Sequence, residues 1–288
     1  MPFRTVIVSS HSKLEYSLNY LIYKTIEDTK KIILDEIHTL IIESTAVSIT
    51  SALLLELAKK EIKVIFCDEK KNPCSELVSY YSDCLTTRKI SEQIKWNDSI
   101  KSKVWKKIIE NKIKNQAKVL EKVDFNSSLL LKDYYLQIED GDITNREGHA
   151  AKVYFNKIYG DSFTRNGNNE KNVFLNYGYS ILLSQFNKCI VSKGFLTQIG
   201  IHHRNDFNQF NLSCDFMEPY RPIVDEIAFN ATKDDYKEKM INMLNILVDI
   251  DGCKQTLVNS INIYCSSLFK ALAENNEKII KFFDSYEL

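Results

Sequence analysis

KLEYSLNYLIY, Lys13 to Tyr23, alternates Leu14, Tyr16, Leu18, Tyr20 and Ile22 with Lys13, Glu15, Ser17 and Asn19. A period of two puts one set of side chains on a buried face and the other in water, which is the pattern of a half-buried β-sheet. The flanking runs Phe3 to Val8 and Lys31 to Glu43 have the β-branched and aromatic content of further strands. From Ala46 to Lys60 the period lengthens, with Ala46, Ile49, Leu53 and Leu57 at helical spacing, and Lys63 to Cys67 returns to strand composition. These readings predict a β-rich N-terminal domain carrying one helix, residues 1–80.

Asn72-Pro73 marks a loop, and beyond Ser82 the chain reads as helix. Leu175 to Val191 is a helical run, Asp161 to Asn172 a loop between helices, and Met240 to Phe283 one or two closing helices with a break at Asp251-Gly252. The expected class is therefore α+β: the β-rich domain is followed by an all-α C-terminal domain over 81–288.

With 288 residues and 44% hydrophobic content the chain can bury a sizeable core, and Lys+Arg and Asp+Glu both total 38, so no global charge advertises a nucleic-acid partner. A local one does. Arg88 to Lys122 holds eleven basic against four acidic side chains, a local charge of +7, on a stretch whose Trp96, Val104, Ile108 and Ile109 form an apolar face. That is a solvated amphipathic helix or a phosphate-contacting surface. The seven cysteines are odd in number and never in C-x-x-C spacing, which predicts reduced thiols. The opening MPFRTVIVSS has no signal-peptide pattern and no long apolar run follows, which predicts a cytoplasmic protein without a membrane span. No phosphate-cradling glycine loop or nucleophile elbow is present, so nucleotide hydrolysis, dinucleotide binding and α/β-hydrolase chemistry are unsupported.

Chemistry concentrates in GIHHRNDFNQFNLSCDFMEPYRP, Gly200 to Pro222. Asp215 and Glu218 share a face if the segment is helical, and two hard oxygen donors beside an imidazole suit Mg²⁺ or Mn²⁺. An ordinary helix start, capped by Ser213 or Asp215, explains the same spacing. Pro219 and Pro222 predict a kink. A second acid, Glu147, follows Thr144 at capping-box spacing ahead of a helix, while Gly148, costly in a first turn, suggests close approach to the backbone there.

Three motifs in order, REGHAAKVYF (Arg146–Phe155), LNYGYSIL (Leu175–Leu182) and GIHHRNDFNQFNLSCDFMEPYRPIVD (Gly200–Asp225), resemble the CRISPR adaptation integrases, the larger of the two universal spacer-acquisition proteins, here the Cas-one family. The patterns are E-G-x-x-A-x-x-Y-F, L-N-Y-x-Y-x-x-L, and G-x-x-H followed by L-x-x-D-x-x-E-x-x-R-P. The likeness extends to the N-terminal domain, covers nearly the whole chain and looks most like members from type II systems.

The resemblance implies catalytic residues and metal ligands at Glu147, His203 and Glu218, with Asp215 supporting or joining them, and Mg²⁺ or Mn²⁺ as the cofactor. It implies a metal-dependent endonuclease/integrase that inserts short DNA duplexes into a CRISPR array during antiviral adaptation. The chemistry is attack of a 3′-hydroxyl on a repeat-edge phosphodiester. A structure-selective endonuclease, using water instead, or a non-catalytic DNA-binding scaffold are the alternatives. The implied partners are double-stranded DNA, a second copy forming a homodimer through residues 1–80, and the small Cas-two family protein in a heterohexamer. An accessory adaptation protein and an effector nuclease of type II systems complete the set. Lys103, Lys106, Lys107, Arg146, Arg204 and Arg221 are the candidate DNA contacts, with Arg221 alternatively paired to Asp215 or Asp225 within the site.

Overall fold

The computed structural model describes residues 4–79 and 85–288; Phe3, Tyr80 and Cys84 lie outside them. The chain divides into two compact units, Met1–Ser82 and Asp83–Leu288.

In the first unit the alternating run does not form one long strand. It folds into a hairpin, β2 (Ser12–Ser17) against β3 (Tyr20–Lys24), in which Leu14 faces Tyr23 and Tyr16 faces Leu21. The turn residues Leu18 and Asn19 take φ of 47° and 66°, the left-handed values that a two-residue hairpin turn requires. β4 (Thr29–Ile33) and the short β6 (Val47–Ile49) complete this sheet in the order β4-β3-β2-β6. A second sheet runs β1-β5-β7-β8, with β1 (Arg4–Val8), β5 (Ile37–Ile42) and β7 (Lys63–Cys67) parallel and β8 (Pro73–Glu76) antiparallel at the edge. β5 and β7 are the inner strands and their burial is nearly continuous, as expected where both faces are covered. The helix α1 (Ser51–Lys59) is capped by Thr50, whose hydroxyl accepts from Leu53 N, and contributes Leu53 and Leu57 to a core shared with Val8, Leu14, Leu21, Leu40 and Val64.

The second unit is built on two long helices, α3 (Asp98–Glu121) and α6 (Glu170–Ser192). Around them lie α2 (Thr86–Ile94), α4 (Phe125–Leu136), α5 (Arg146–Tyr159), α7 (Asn211–Met217), α8 (Arg221–Asn230), α9 (Tyr236–Asn242) and α10 (Leu257–Glu274). Gly178 lets α6 approach α8 and α9: a Cβ there would stand 2.6 Å from Val224 Cγ1 and 2.5 Å from Met240 Sδ. Between α7 and α8 a single 3₁₀ turn, Glu218–Tyr220, makes the kink that the two prolines predict.

The C-terminal unit is mostly helical, but it is not all-α. Where the sequence predicts closing helix, β9 (Leu247–Ile250), β10 (Cys253–Thr256) and β11 (Phe283–Tyr286) form a three-stranded antiparallel sheet in the order β10-β9-β11. Asp251 and Gly252, with φ of 55° and 73°, turn the β9-β10 hairpin instead of breaking a helix. The described cysteines are free thiols. Among the described residues no helix is long and apolar enough to cross a membrane.

Candidate metal centre

Glu147 sits in the first turn of α5, and the start of that helix is held differently from the expected Thr144 box. Asn145, at φ 50°, caps with its side chain accepting from Gly148 N at 3.2 Å. The largely buried Asp142 carboxylate accepts from Arg146 N at 2.8 Å and Glu147 N at 3.0 Å. Two side chains therefore satisfy three of the free N–H groups, and the Glu147 carboxylate is left available. What comes close to Gly148 is the Asn145 cap itself, 2.7 Å from where a Cβ would stand.

His203 is carried on the loop between α6 and α7, and that loop is pinned by buried amides. Gln93 of α2 donates to Leu196 O and Ile199 O and accepts from Leu196 N, each at 2.9 Å. Asn211 donates to Gln198 O at 3.1 Å and Asn205 O at 3.0 Å. The segment then wraps onto Asp215, which is 0% exposed. Asp215 Oδ2 accepts from Ile201 N (2.7 Å) and His202 N (3.0 Å), while Oδ1 accepts from His203 N (3.1 Å) and lies 2.5 Å from His203 Nδ1. Gly200 makes this wrap possible, since a Cβ there would stand 2.7 Å from Asp215 Oδ2 and 2.6 Å from His203 O.

With both oxygens spent, Asp215 acts as the support of His203. A carboxylate on Nδ1 fixes the imidazole tautomer and leaves Nε2 as the nitrogen with a lone pair to give. The Asp215 hydrogen bond also raises the His203 pKa above the ordinary imidazole value, against the opposing effect of burial. His202 points elsewhere: its ring stacks on Trp105 of α3 at 4.1 Å, and burial lowers its pKa. His203 meets the same indole edge-on at 5.6 Å.

Glu218 opens the 3₁₀ turn and is 3% exposed. Arg221, one turn on, donates from Nε to Glu218 Oε1 at 2.8 Å, and its guanidinium covers the Tyr179 ring at 4.7 Å. Between Glu218 and Glu147 lies Lys112 of α3, with Nζ 2.5 Å from Glu147 Oε1 and 2.5 Å from Glu218 Oε2. Both are charge-assisted contacts, and the one to Glu218 reaches the oxygen that Arg221 leaves free. Burial alone would raise the Glu218 pKa, but Arg221 and Lys112 outweigh it and the carboxyl is held below its usual range. Burial likewise opposes the charge on Lys112, yet the two glutamates overcome it and its pKa rises. Asn115 Nδ2, donating to Pro219 O at 3.0 Å, ties α3 to the turn that carries Glu218.

The structure thus brings Glu147 and Glu218 to one cationic position and couples His203 to Asp215, within electrostatic reach of both glutamates. Among the described residues no three His, Cys, Asp or Glu side chains are already gathered as a closed ligand set. The residues nevertheless fit a divalent cation: two carboxylates converge where a positive charge already sits, and a carboxylate-oriented imidazole stands beside them.

Lys112 is the residue that sequence reasoning misplaces, since a count of charges assigns it to the basic surface. Of the candidate DNA contacts, Lys103 is exposed, Lys106 lies 3.7 Å from Asp140 and Lys107 2.7 Å from Glu110. Arg204 is exposed, with Nη2 3.8 Å from Asp98. Arg146 lies over Tyr134 at 5.7 Å, and Arg221 belongs to the carboxylate site through Glu218 rather than Asp215 or Asp225.

Comparison with known proteins bears on the family and the fold. The family described as CRISPR associated protein Cas1 matches residues 5–244. The CRISPR-associated endonuclease Cas1 of Neisseria meningitidis serogroup C (strain 8013) is 28% identical over 291 residues, covering 98% of this chain and 96% of its own. Among solved structures, a casposase bound to integration product superposes with a TM-score of 0.75 at 18% identity, over 95% of this chain and 92% of that one. A Cas6-RT-Cas1–Cas2 complex gives 0.75 at 18% identity over 96% of this chain, which spans only 36% of the longer matched chain. Given a family match over residues 5–244 that spans both structural units, the chain belongs to the Cas1 family.

Proposed function

We propose that this protein is a metal-dependent DNA integrase of CRISPR adaptation, joining the 3′-hydroxyl of a short duplex to a phosphodiester at the edge of a repeat. The observation that carries the reading is the convergence of Glu147 and Glu218, from separate elements, on one cationic position next to an imidazole oriented by Asp215. Phosphoryl transfer asks for positioning and charge stabilisation more than for protein acids and bases, and a carboxylate-rich centre suits it.

Glu147, Glu218 and His203 Nε2 would hold Mg²⁺ or Mn²⁺. The bound ion would supply charge for the scissile phosphate and lower the pKa of the attacking hydroxyl. The rest falls to the chain. Asp215 keeps His203 in the tautomer with Nε2 free, and Arg221 fixes the Glu218 carboxylate through Oε1. Asp142 and Asn145 set the height of Glu147 at the head of α5. Exposed Lys103 and Arg204 are suited to phosphate contacts.

The solved Cas6-RT-Cas1–Cas2 complex joins a Cas1 to a Cas2, which supports a small Cas2-family partner here, and we extend this to a homodimer formed through the first unit. The name of the Neisseria relative favours a second reading, endonuclease activity, in which water replaces the 3′-hydroxyl at the same centre. Product analysis separates the two. A labelled duplex with free 3′-hydroxyls is incubated with the protein, its small partner and a plasmid bearing the repeat, in Mn²⁺. Label joined to the plasmid by the wild type and not by Glu218→Ala is expected. Shortened strands without joining would select the endonuclease, and joining by Glu218→Ala would refute the site.

A further inference from the structure

We propose that Lys112 is a built-in competitor for the metal position, bridging Glu147 and Glu218 in the metal-free protein and yielding to the incoming cation; this rests on the metal-centre reading above. Its ammonium is the cation placed against both carboxylates, at 2.5 Å from an oxygen of each. Arg221 touches only Glu218, by the other oxygen, and is also held on the Tyr179 ring. A rigid guanidinium so held stays where it is, whereas a lysine ammonium turns on a flexible four-carbon stem.

A divalent cation held by Glu147 and Glu218 would compete with the ammonium for the same position, and beside the buried Lys112 and Glu218 the two like charges would repel strongly. Entry of the metal therefore leaves Lys112 largely buried, without its carboxylates and in need of an anion. A DNA phosphate entering the centre is that anion. Metal affinity is then low in the free protein and rises when DNA is bound, and by linkage the metal raises DNA affinity by the same factor.

The test measures Mn²⁺ binding directly, from the electron paramagnetic resonance signal of free Mn²⁺, with and without a short DNA duplex. Without DNA, Lys112→Gln is expected to bind Mn²⁺ about tenfold more tightly than the wild type, while Lys112→Arg binds no more tightly. The duplex tightens Mn²⁺ binding to the wild type about tenfold and to Lys112→Gln far less. Equal or weaker Mn²⁺ binding by Lys112→Gln, or the same DNA-linked gain in both proteins, overturns the proposal. If Lys112→Gln is unfolded without metal, refolding on Mn²⁺ addition supports it and failure to refold overturns it. Absence of Mn²⁺ binding by every protein, with and without DNA, overturns the metal-centre reading and this proposal with it.

Discussion

Asp215 offers the sharpest perturbation, because one fully buried carboxylate accepts three backbone N–H groups and stands against the Nδ1 of His203. Replacing it with alanine leaves the N–H groups of residues 201–203 without an acceptor. At about 1–3 kcal/mol for each orphaned buried donor, with partial relief from relaxation and entering water, the loss is about 3–5 kcal/mol. That is a large part of the roughly 5–15 kcal/mol that holds a domain together, and it lowers the melting temperature by on the order of 10 °C. Asp215→Asn is the informative partner. Its oxygen can keep the Ile201 and His202 donors while its NH₂ faces His203, so it costs about 2 kcal/mol and the fold survives. The imidazole must then accept at Nδ1, which moves the proton to Nε2 and removes the lone pair that a metal needs. In the wild type the Asp215 bond raises the His203 pKa, so this pairing contributes stability fully present below the ordinary imidazole value and lost as pH rises through the raised one. The gap in melting temperature between wild type and Asp215→Asn should therefore widen on acidification. Nitrogen NMR of His203 is the assay. A shift to the Nε2–H tautomer with a lowered pKa is expected; an Nδ1–H tautomer and unchanged pKa in Asp215→Asn would refute the reasoning.

Further outcomes follow from other parts of the second unit. Gly178→Ala should cost about 1–3 kcal/mol in denaturant unfolding, because its methyl meets Val224 Cγ1 at 2.6 Å inside a close helix packing. Burial pushes the Asp225 carboxyl up to about 6 from 3.8, against the Tyr179 hydroxyl and Arg221, so its contribution to stability is present below 3.8 and lost as pH rises through about 6. Asp225→Asn should accordingly gain on the wild type by about 2.5 kcal/mol between pH 4 and pH 8, and a difference flat with pH would contradict it. Lys103→Glu should weaken DNA binding and reduce the salt slope by about one, since Lys103 is exposed and has no ion-pair partner among the described residues. Unchanged affinity at low salt would remove it from the DNA surface.

Much of this fold is legible in the residues, for reasons that also explain the misses. The period of two holds within β2, where Leu14 and Tyr16 face the core, but the turn shifts its phase, so Leu21 and Tyr23 take that face in β3 while Leu18 and Tyr20 are exposed; Leu53 and Leu57 do face the core as their spacing implies. The C-terminal sheet escapes because β9 and β10 are four residues each, too short to display alternation, and Asp251-Gly252 signals a hairpin turn as readily as a helix break. Lys112 escapes because composition counts charges without asking which face they occupy. Val104, Ile108, Lys112 and Gln116 recur every four residues, so Lys112 lies on the apolar stripe of α3 with Asn111 and Asn115 beside it. Polar side chains on a buried stripe are the signal that finds it. At the head of α5 the residue pattern offers Thr144 as a cap, whereas Asn145 and Asp142 fill that role, since both reach the first-turn N–H groups while Asn145 takes a left-handed backbone. The pairing of Asp215 with three consecutive N–H groups is a tertiary fact that spacing alone could not give.

The most direct measurement is the anomalous diffraction of Mn²⁺ in crystals of the protein. The account predicts one strong peak whose nearest protein atoms belong to Glu147, Glu218 and His203, with the Lys112 ammonium moved from between the carboxylates. A peak elsewhere, or Lys112 still seated on both glutamates at saturating Mn²⁺, would contradict it.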